Sequence, residues 1–235
     1  MSSMQINNAS RRNLLRMHDS SNIPYLAFRQ QKAGKLSQKT IGFELPSGYT
    51  CGKFAKECMS IANRETGKIT DGPDTKFRCW SATQEAYATG LRKQRHSNRD
   101  VLRDLSLDDM VLCLSHNLHR VSSEYYNDHE QLPILRIHVA GEFFSEDYFL
   151  SWLSVVNRMR EYIQFAYAYT KALPYWIKYK NLIPNNLRLR ASRGGKYDHL
   201  IEEHNLPSAE VVFDMNSGLE LDHDDTKSRD PNNYL

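Results

Sequence analysis

Residues 134–142 read Ile134-Leu135-Arg136-Ile137-His138-Val139-Ala140-Gly141-Glu142, a short β-rich run that ends on a glycine and a carboxylate. Ser145 follows as a helix cap with Glu146 and Asp147 in the first turn, and 148–162 carries a helical pattern. The rhythm then repeats. Residues 164–169 (QFAYAY) read as a strand, 174–181 as a short helix, 187–191 (LRLRA) as a third strand, 196–204 as a helix and 209–213 (AEVVF) as a fourth strand. Strand starts recur every 22–30 residues with a helix between each pair, which implies parallel strands joined by right-handed crossovers. The expected fold class is α/β. A partial or full TIM-like barrel and an open doubly wound sheet all satisfy the pattern, and no internal sequence repeat accompanies it.

Upstream the chain is helical and loop-rich. Residues 40–45 alternate and stop at Pro46-Ser47-Gly48, a strand followed by a turn. A long connection over 46–78 holds two cysteines, with room for one short helix at 54–63. Residues 80–105 favour helix with an interruption at Gly90. A second helix over 107–125 is capped by Ser106 and shows Leu107, Met110, Val111, Leu114 and Leu118 on one face. The expected organisation is an N-terminal arm over 1–39 with an apolar anchor at 23–28, one α/β domain over 40–226, and a polar tail over 227–235.

With 40% hydrophobic and 25% charged residues, the chain is neither a disordered tail nor a membrane protein. No apolar run approaches the ~20 residues that span a bilayer, and no signal-peptide pattern opens the chain, so a cytoplasmic protein is expected. A net charge of +3 is too mild to indicate nucleic acid by itself. Arg92, Lys93, Arg95, Arg99 and Arg103 cluster on one segment, and a solvated helix face is the first expectation for them. Nothing specifies an oligomeric state.

In parallel α/β folds the working residues gather at the carboxyl ends of the strands. That rule selects Gly141 and Glu142, then Thr170 and Lys171, then Ser192, Arg193, Gly194, Gly195 and Lys196, and Asp214 with His223, Asp224 and Asp225 beyond it. Cys51 and Cys58 follow the 40–45 strand. Lys171 is a point charge for a phosphate or carboxylate, and the Ser192–Lys196 segment opening a helix suits an anion. His223, Asp224 and Asp225 suit a metal or a general base, although an acidic cluster of this kind is more often simply solvated. His138 reads as a core histidine. Of four cysteines, Cys113 falls on an apolar helix face. Cys51, Cys58 and Cys79 are separated by six and then twenty residues. In a reducing compartment such cysteines bind metal or act in catalysis. Three thiolates suit an iron–sulfur cluster with one iron left open, or zinc with a further ligand; three unrelated buried thiols are the plain alternative.

Several blocks in order resemble the bacteriophage gene product 88 family: Leu45-Pro46-Ser47-Gly48-Tyr49-Thr50-Cys51, Cys58, Asp71-Gly72-Pro73, Phe77-Arg78-Cys79, Arg136 to Phe144, Ala168-Tyr169-Thr170-Lys171, Gly194-Gly195-Lys196-Tyr197-Asp198 and Asp222 to Thr226. The pattern is also remotely similar to the radical S-adenosylmethionine (SAM) enzymes, in which a cysteine loop follows the first strand and a Gly-Glu pair ends a later one. The cysteine spacing departs from that superfamily's compact three-then-two. The resemblance implies that Cys51, Cys58 and Cys79 hold a [4Fe–4S] cluster and that Gly141 and Glu142 contact SAM. Ser192, Gly194 and Gly195 would complete the cofactor site, and a small-molecule or macromolecular substrate would react near Lys171 and Arg193. A structural zinc in a protein that binds a host factor or nucleic acid is the competing expectation, and the cytoplasm of an infected host cell is the expected location.

Overall fold

The computed structural model describes residues 22–30 and 40–211. In chain order the strands are β1 (Phe28–Gln30), β2 (Thr40–Glu44), β3 (Ser60–Ala62), β4 (Ile69–Asp71), β5 (Ile134–Ala140), β6 (Ala166–Thr170), β7 (Leu187–Ser192) and β8 (Ser208–Ala209). The helices are α1 (Trp80–Tyr87), α2 (Thr89–Leu102), α3 (Leu107–His129), α4 (Glu146–Arg158), α5 (Leu173–Lys178) and α6 (His199–Glu203).

Six strands form one sheet in the order β1-β2-β5-β6-β7-β8. β2, β5, β6, β7 and β8 are parallel to their neighbours, and only β1, at the edge, runs antiparallel to β2. Because the order is sequential, every right-handed crossover steps in the same direction and lays its helix on the same face. A doubly wound sheet, which reverses direction at a switch point, is thereby ruled out. The sheet is open, so the full TIM-like barrel does not form. The five parallel strands among the described residues fall short of the eight such a barrel closes with.

Side-chain alternation assigns the two faces. Leu135, Ile137, Ala166, Ala168, Leu187, Leu189 and Ala191 join the core with Phe149, Trp152, Val155 and Val156 of α4. Arg136, Tyr167, Tyr169, Arg188, Arg190 and Ser192 occupy the alternate positions and so take the opposite face. Ser106 caps α3 and Ser145 caps α4, each side-chain oxygen accepting from the backbone N–H three residues on, as their sequence positions suggest.

The N-terminal half departs from expectation in three places. Residues 54–63 form no helix; a turn, a short bridge and the β3–β4 hairpin stand there instead. Asn63 decides this locally, its Oδ1 accepting from the N–H groups of Glu65 and Thr66 while Gly67 takes φ 75°. The break in 80–105 comes at Ala88, not at Gly90. The arm's apolar anchor continues into an edge strand: Leu26 and Phe28 are buried, and Asn117 and Asn98 accept from the Leu26 and Ala27 N–H groups.

Two residues of the basic segment, Arg92 and Arg95, are internal. Arg92 donates to the carbonyls of Arg64, Glu65, Glu85 and Ala86. Arg95 is completely buried and pairs with Glu44 at 3.0 Å and Glu85 at 2.8 Å. Arg92 thus ties α2 to α1 and to the turn at Arg64 and Glu65, and Arg95 ties it to α1 and the end of β2, which corrects the expectation of a solvated face for these two; Lys93 and Arg103 are exposed and Arg99 is half-buried.

Candidate functional site

At the carboxyl ends of β2, β5, β6 and β7 lies a cavity of about 140 Å³ lined by Cys51, Cys58, Cys79, Glu142, Lys171 and Ser192, with Gly141 and Tyr169 beside them. A roomier cleft of about 510 Å³ opens at Arg64, Lys93 and Asp100 and contains none of the expected site residues. The smaller cavity is the one that gathers the chemistry.

Three separate local structures deliver the cysteines. Cys51 sits in the turn after β2, where its carbonyl accepts from the N–H groups of Phe54 and Ala55. Cys58 ends the next segment, held because Gly194 O accepts from Lys56 and Glu57 N–H while Glu57 O accepts from Lys76 and Phe77 N–H. Cys79 immediately precedes α1, and its N–H donates to Ser60 Oγ at 3.2 Å. All three are free and partly exposed, whereas Cys113 is buried in the core with its thiol donating to Pro24 O.

Gly141 explains how the turn comes so close to the sheet. It takes φ 90°, and a Cβ there would stand 2.6 Å from Leu45 Cβ and 3.0 Å from Leu45 O. The strand leading to it is bulged. Between Gly42↔Arg136 and Glu44↔Ala140, β5 advances four residues while β2 advances two. His138 absorbs the excess at φ 63°, and its ring packs against Phe143 and Tyr148, with Nε2 3.0 Å from Tyr148 Oη.

Glu142 is buried and clamps two strand ends. Its Oε1 accepts from Phe143 N–H at 2.9 Å and Thr170 Oγ1 at 2.7 Å, and its Oε2 accepts from Lys171 N–H at 2.6 Å. A carboxylate has about four acceptor sites, so one remains. Lys171 Nζ donates to Ser192 O, Ser192 Oγ and Arg193 O, which uses its three N–H groups. The lysine is therefore a strut from β6 to β7 that carries a positive charge into the cavity.

The electrostatics follow from this crowding. Burial pushes the Cys51 thiol well up, and the Glu142 and Cys79 charges add to the rise. Burial also raises Cys58, opposed by the Lys171 ammonium. Glu142 itself is raised by burial despite its hydrogen bonds. A thiol held protonated this way is a poor nucleophile on its own. Coordination to a cation is what converts such a group to thiolate.

Other expected residues serve the loop. The Arg193 guanidinium turns away to Glu202 at 2.8 Å and Ser208 at 3.2 Å. The Gly194 and Gly195 N–H groups, expected to receive an anion, donate to the Asp198 carboxylate at 2.7 and 2.9 Å. Gly195 bridges to Ala55, and Lys196 donates from its backbone to Phe54 O and from Nζ to Gly52 O, so this segment docks the cysteine loop. Asp214, His223, Asp224 and Asp225 lie outside the described residues. Sequence reasoning missed Thr50, whose hydroxyl accepts from Glu142 N–H and donates to Pro46 O, and Tyr169, which lines the cavity. Both stand in the blocks that carry the family resemblance, Thr50 just before Cys51 and Tyr169 just before the selected Thr170-Lys171 pair, and no residue-level pattern singles them out.

Among the described residues, no three His, Cys, Asp or Glu side chains stand in ligating geometry for a metal, and no helix is long and apolar enough to cross a membrane. No curated protein and no solved structure gives a significant match. The family model for gene product 88 matches residues 20–234, nearly the whole chain, cysteine loop and parallel strands included. The chain belongs to the gene product 88 family.

Proposed function

We propose that this chain is an iron–sulfur enzyme related in mechanism to the radical SAM enzymes, with Cys51, Cys58 and Cys79 as its three cluster ligands. The observation that carries the reading is convergence. Three thiols from positions far apart in the chain line one cavity at the carboxyl ends of parallel strands. Cys79 and Cys58 both raise the Cys51 thiol, behind burial and Glu142. Three thiols are the donor set that a cluster with one open iron uses, although in the structure described they do not stand in ligating geometry. When bound, a [4Fe–4S] cluster supplies one electron and an open iron for SAM.

The chain's own residues have definite parts in this reading. Gly141 keeps the backbone within reach of the cysteine turn. Glu142 offers its remaining acceptor site to an ammonium group while holding Thr170 and Lys171 in place. Lys171 acts as a positioning residue, fixing Ser192 at the rim and offsetting the negative charge of the thiolates. Arg193 contributes its carbonyl to that strut, not its guanidinium.

Purification without oxygen tests the proposal. The expected result is brown protein with iron and sulfide that binds SAM in equilibrium dialysis. Stoichiometric zinc without SAM affinity would favour a structural metal, and colourless protein after anaerobic reconstitution would overturn the proposal.

A further inference from the structure

Ser47 stands in the turn between β2 and Cys51, and its hydroxyl is idle. The residue is 1% exposed and lines the same cavity as Cys51, Cys58 and Cys79, yet the hydroxyl has no hydrogen-bond partner. Burying such a group away from water without a partner is costly. The backbone that carries it is fixed from both sides. Its N–H donates to Glu85 Oε1 at 3.0 Å, and Arg95 holds Glu85 in turn at 2.8 Å. Pro46 O accepts from both the N–H and the hydroxyl of Thr50, which closes the turn over Ser47, Gly48 and Tyr49. Gly48 takes φ 73°, and a Cβ there would stand 2.5 Å from Ser60 O, so the turn is pressed on β3. Two other donors near the thiols are already spent. The Thr50 hydroxyl donates to Pro46 O, and Lys171 Nζ donates to Ser192 and Arg193.

We infer that Ser47 is a positioning residue of the cysteine site, its hydroxyl donating a hydrogen bond to a thiolate sulfur when Cys51, Cys58 and Cys79 hold a cation. Metal-bound thiolates keep part of their negative charge, and hydrogen bonds to them govern both affinity and electronic energy. Cys51 follows Ser47 by four residues in the same closed turn, which makes its sulfur the first acceptor within chain reach. Glu142 is a poorer acceptor, since its two oxygens already hold three hydrogen bonds. The rival occupant is a water between the hydroxyl and Glu85 Oε2, which is also without a partner. The inference rests on the proposed function only in taking the three thiols as ligands, and it does not require the cation to be iron.

Cobalt(II) titration of the full metal-free chain without oxygen, for wild type and Ser47→Ala, tests the inference. Thiolate-to-cobalt charge-transfer absorption in the near ultraviolet reports sulfur ligation directly. Wild type is expected to develop this band. Ser47→Ala is expected to bind cobalt about ten- to a hundredfold more weakly, with the band moved to lower energy, because a thiolate relieved of a hydrogen bond gives up its electron more readily. Urea melts of the two metal-free proteins separate this role from a structural one. The variant's midpoint is expected to be no lower than that of wild type, since the substitution removes a hydroxyl that bonds nothing in the empty cavity. No thiolate band in wild type, the same affinity and band in the variant, or a metal-free variant that is destabilised or unfolded would each overturn the inference. A cobalt band that answers to Ser47 in a chain that takes up no iron or sulfide would leave it standing while the iron–sulfur reading fails. Iron-loaded wild type together with a Ser47→Ala variant indistinguishable in cobalt would do the reverse.

Discussion

Mild acid should weaken the fold through His138 in a calculable way. The ring is 4% exposed, Nδ1 makes no hydrogen bond, and burial holds the pKa down to about 3 from an ordinary 6.5. A group depressed in the folded state contributes stability that is present above the unfolded pKa and is lost as pH falls toward the folded one. The window is therefore from about pH 6.5 down to about pH 3. At pH 5 the unfolded chain holds a proton that the folded chain refuses. The cost is one and a half units at ~1.36 kcal/mol each, about 2 kcal/mol. His138→Asn isolates this term, because Asn tolerates positive φ and does not titrate. Urea melts at pH 7 and pH 5 on both proteins measure it. The variant should begin about 1–2 kcal/mol weaker at pH 7 from lost packing, then lose about 2 kcal/mol less than wild type on going to pH 5. Identical acid losses in the two proteins would refute the reasoning.

Gly141→Ala should destabilise by about 2–4 kcal/mol in urea melts, combining a left-handed φ with a Cβ pressed on Leu45. Arg95→Met should cost about 3–5 kcal/mol in the same assay, because Glu44 and Glu85 are then buried without their cation. Lys171→Met removes the charge that opposes the rise at Cys58, so iodoacetamide should modify Cys58 of the metal-free variant more slowly at pH 8.5, read by mass spectrometry.

β5, β6 and β7 were readable because each is a short β-rich run followed by a helix, the first of which is capped by Ser145. Leu187–Ser192 and the Ser145 cap are clear instances. The strand-end rule then led directly to Gly141, Glu142, Lys171 and Ser192, which share one cavity with the three cysteines. What local pattern could not convey was non-local. The β3–β4 hairpin rests on Asn63 turn bonds and on Gly72 N–H donating to Met59 O, a contact that no 3.6- or 2-residue period announces. The bulge at His138 hides inside a run that looks like an uninterrupted strand. Arg92 and Arg95 resemble surface charges in one dimension, and only Glu44, Glu85 and a set of inward-facing carbonyls make them interior. The Gly194-Gly195 segment looked ready for an external anion because Asp198, four residues on from Gly194, had not been recognised as its occupant.

The central claim is that Cys51, Cys58 and Cys79 grip one inorganic centre, and iron and sulfide content across a cysteine series tests it most directly. After anaerobic reconstitution, wild type and Cys113→Ala should each carry about four irons per chain, while Cys51→Ala, Cys58→Ala and Cys79→Ala should each lose most of theirs. Iron-free wild type, or undiminished iron in any one of those three variants, would contradict the account.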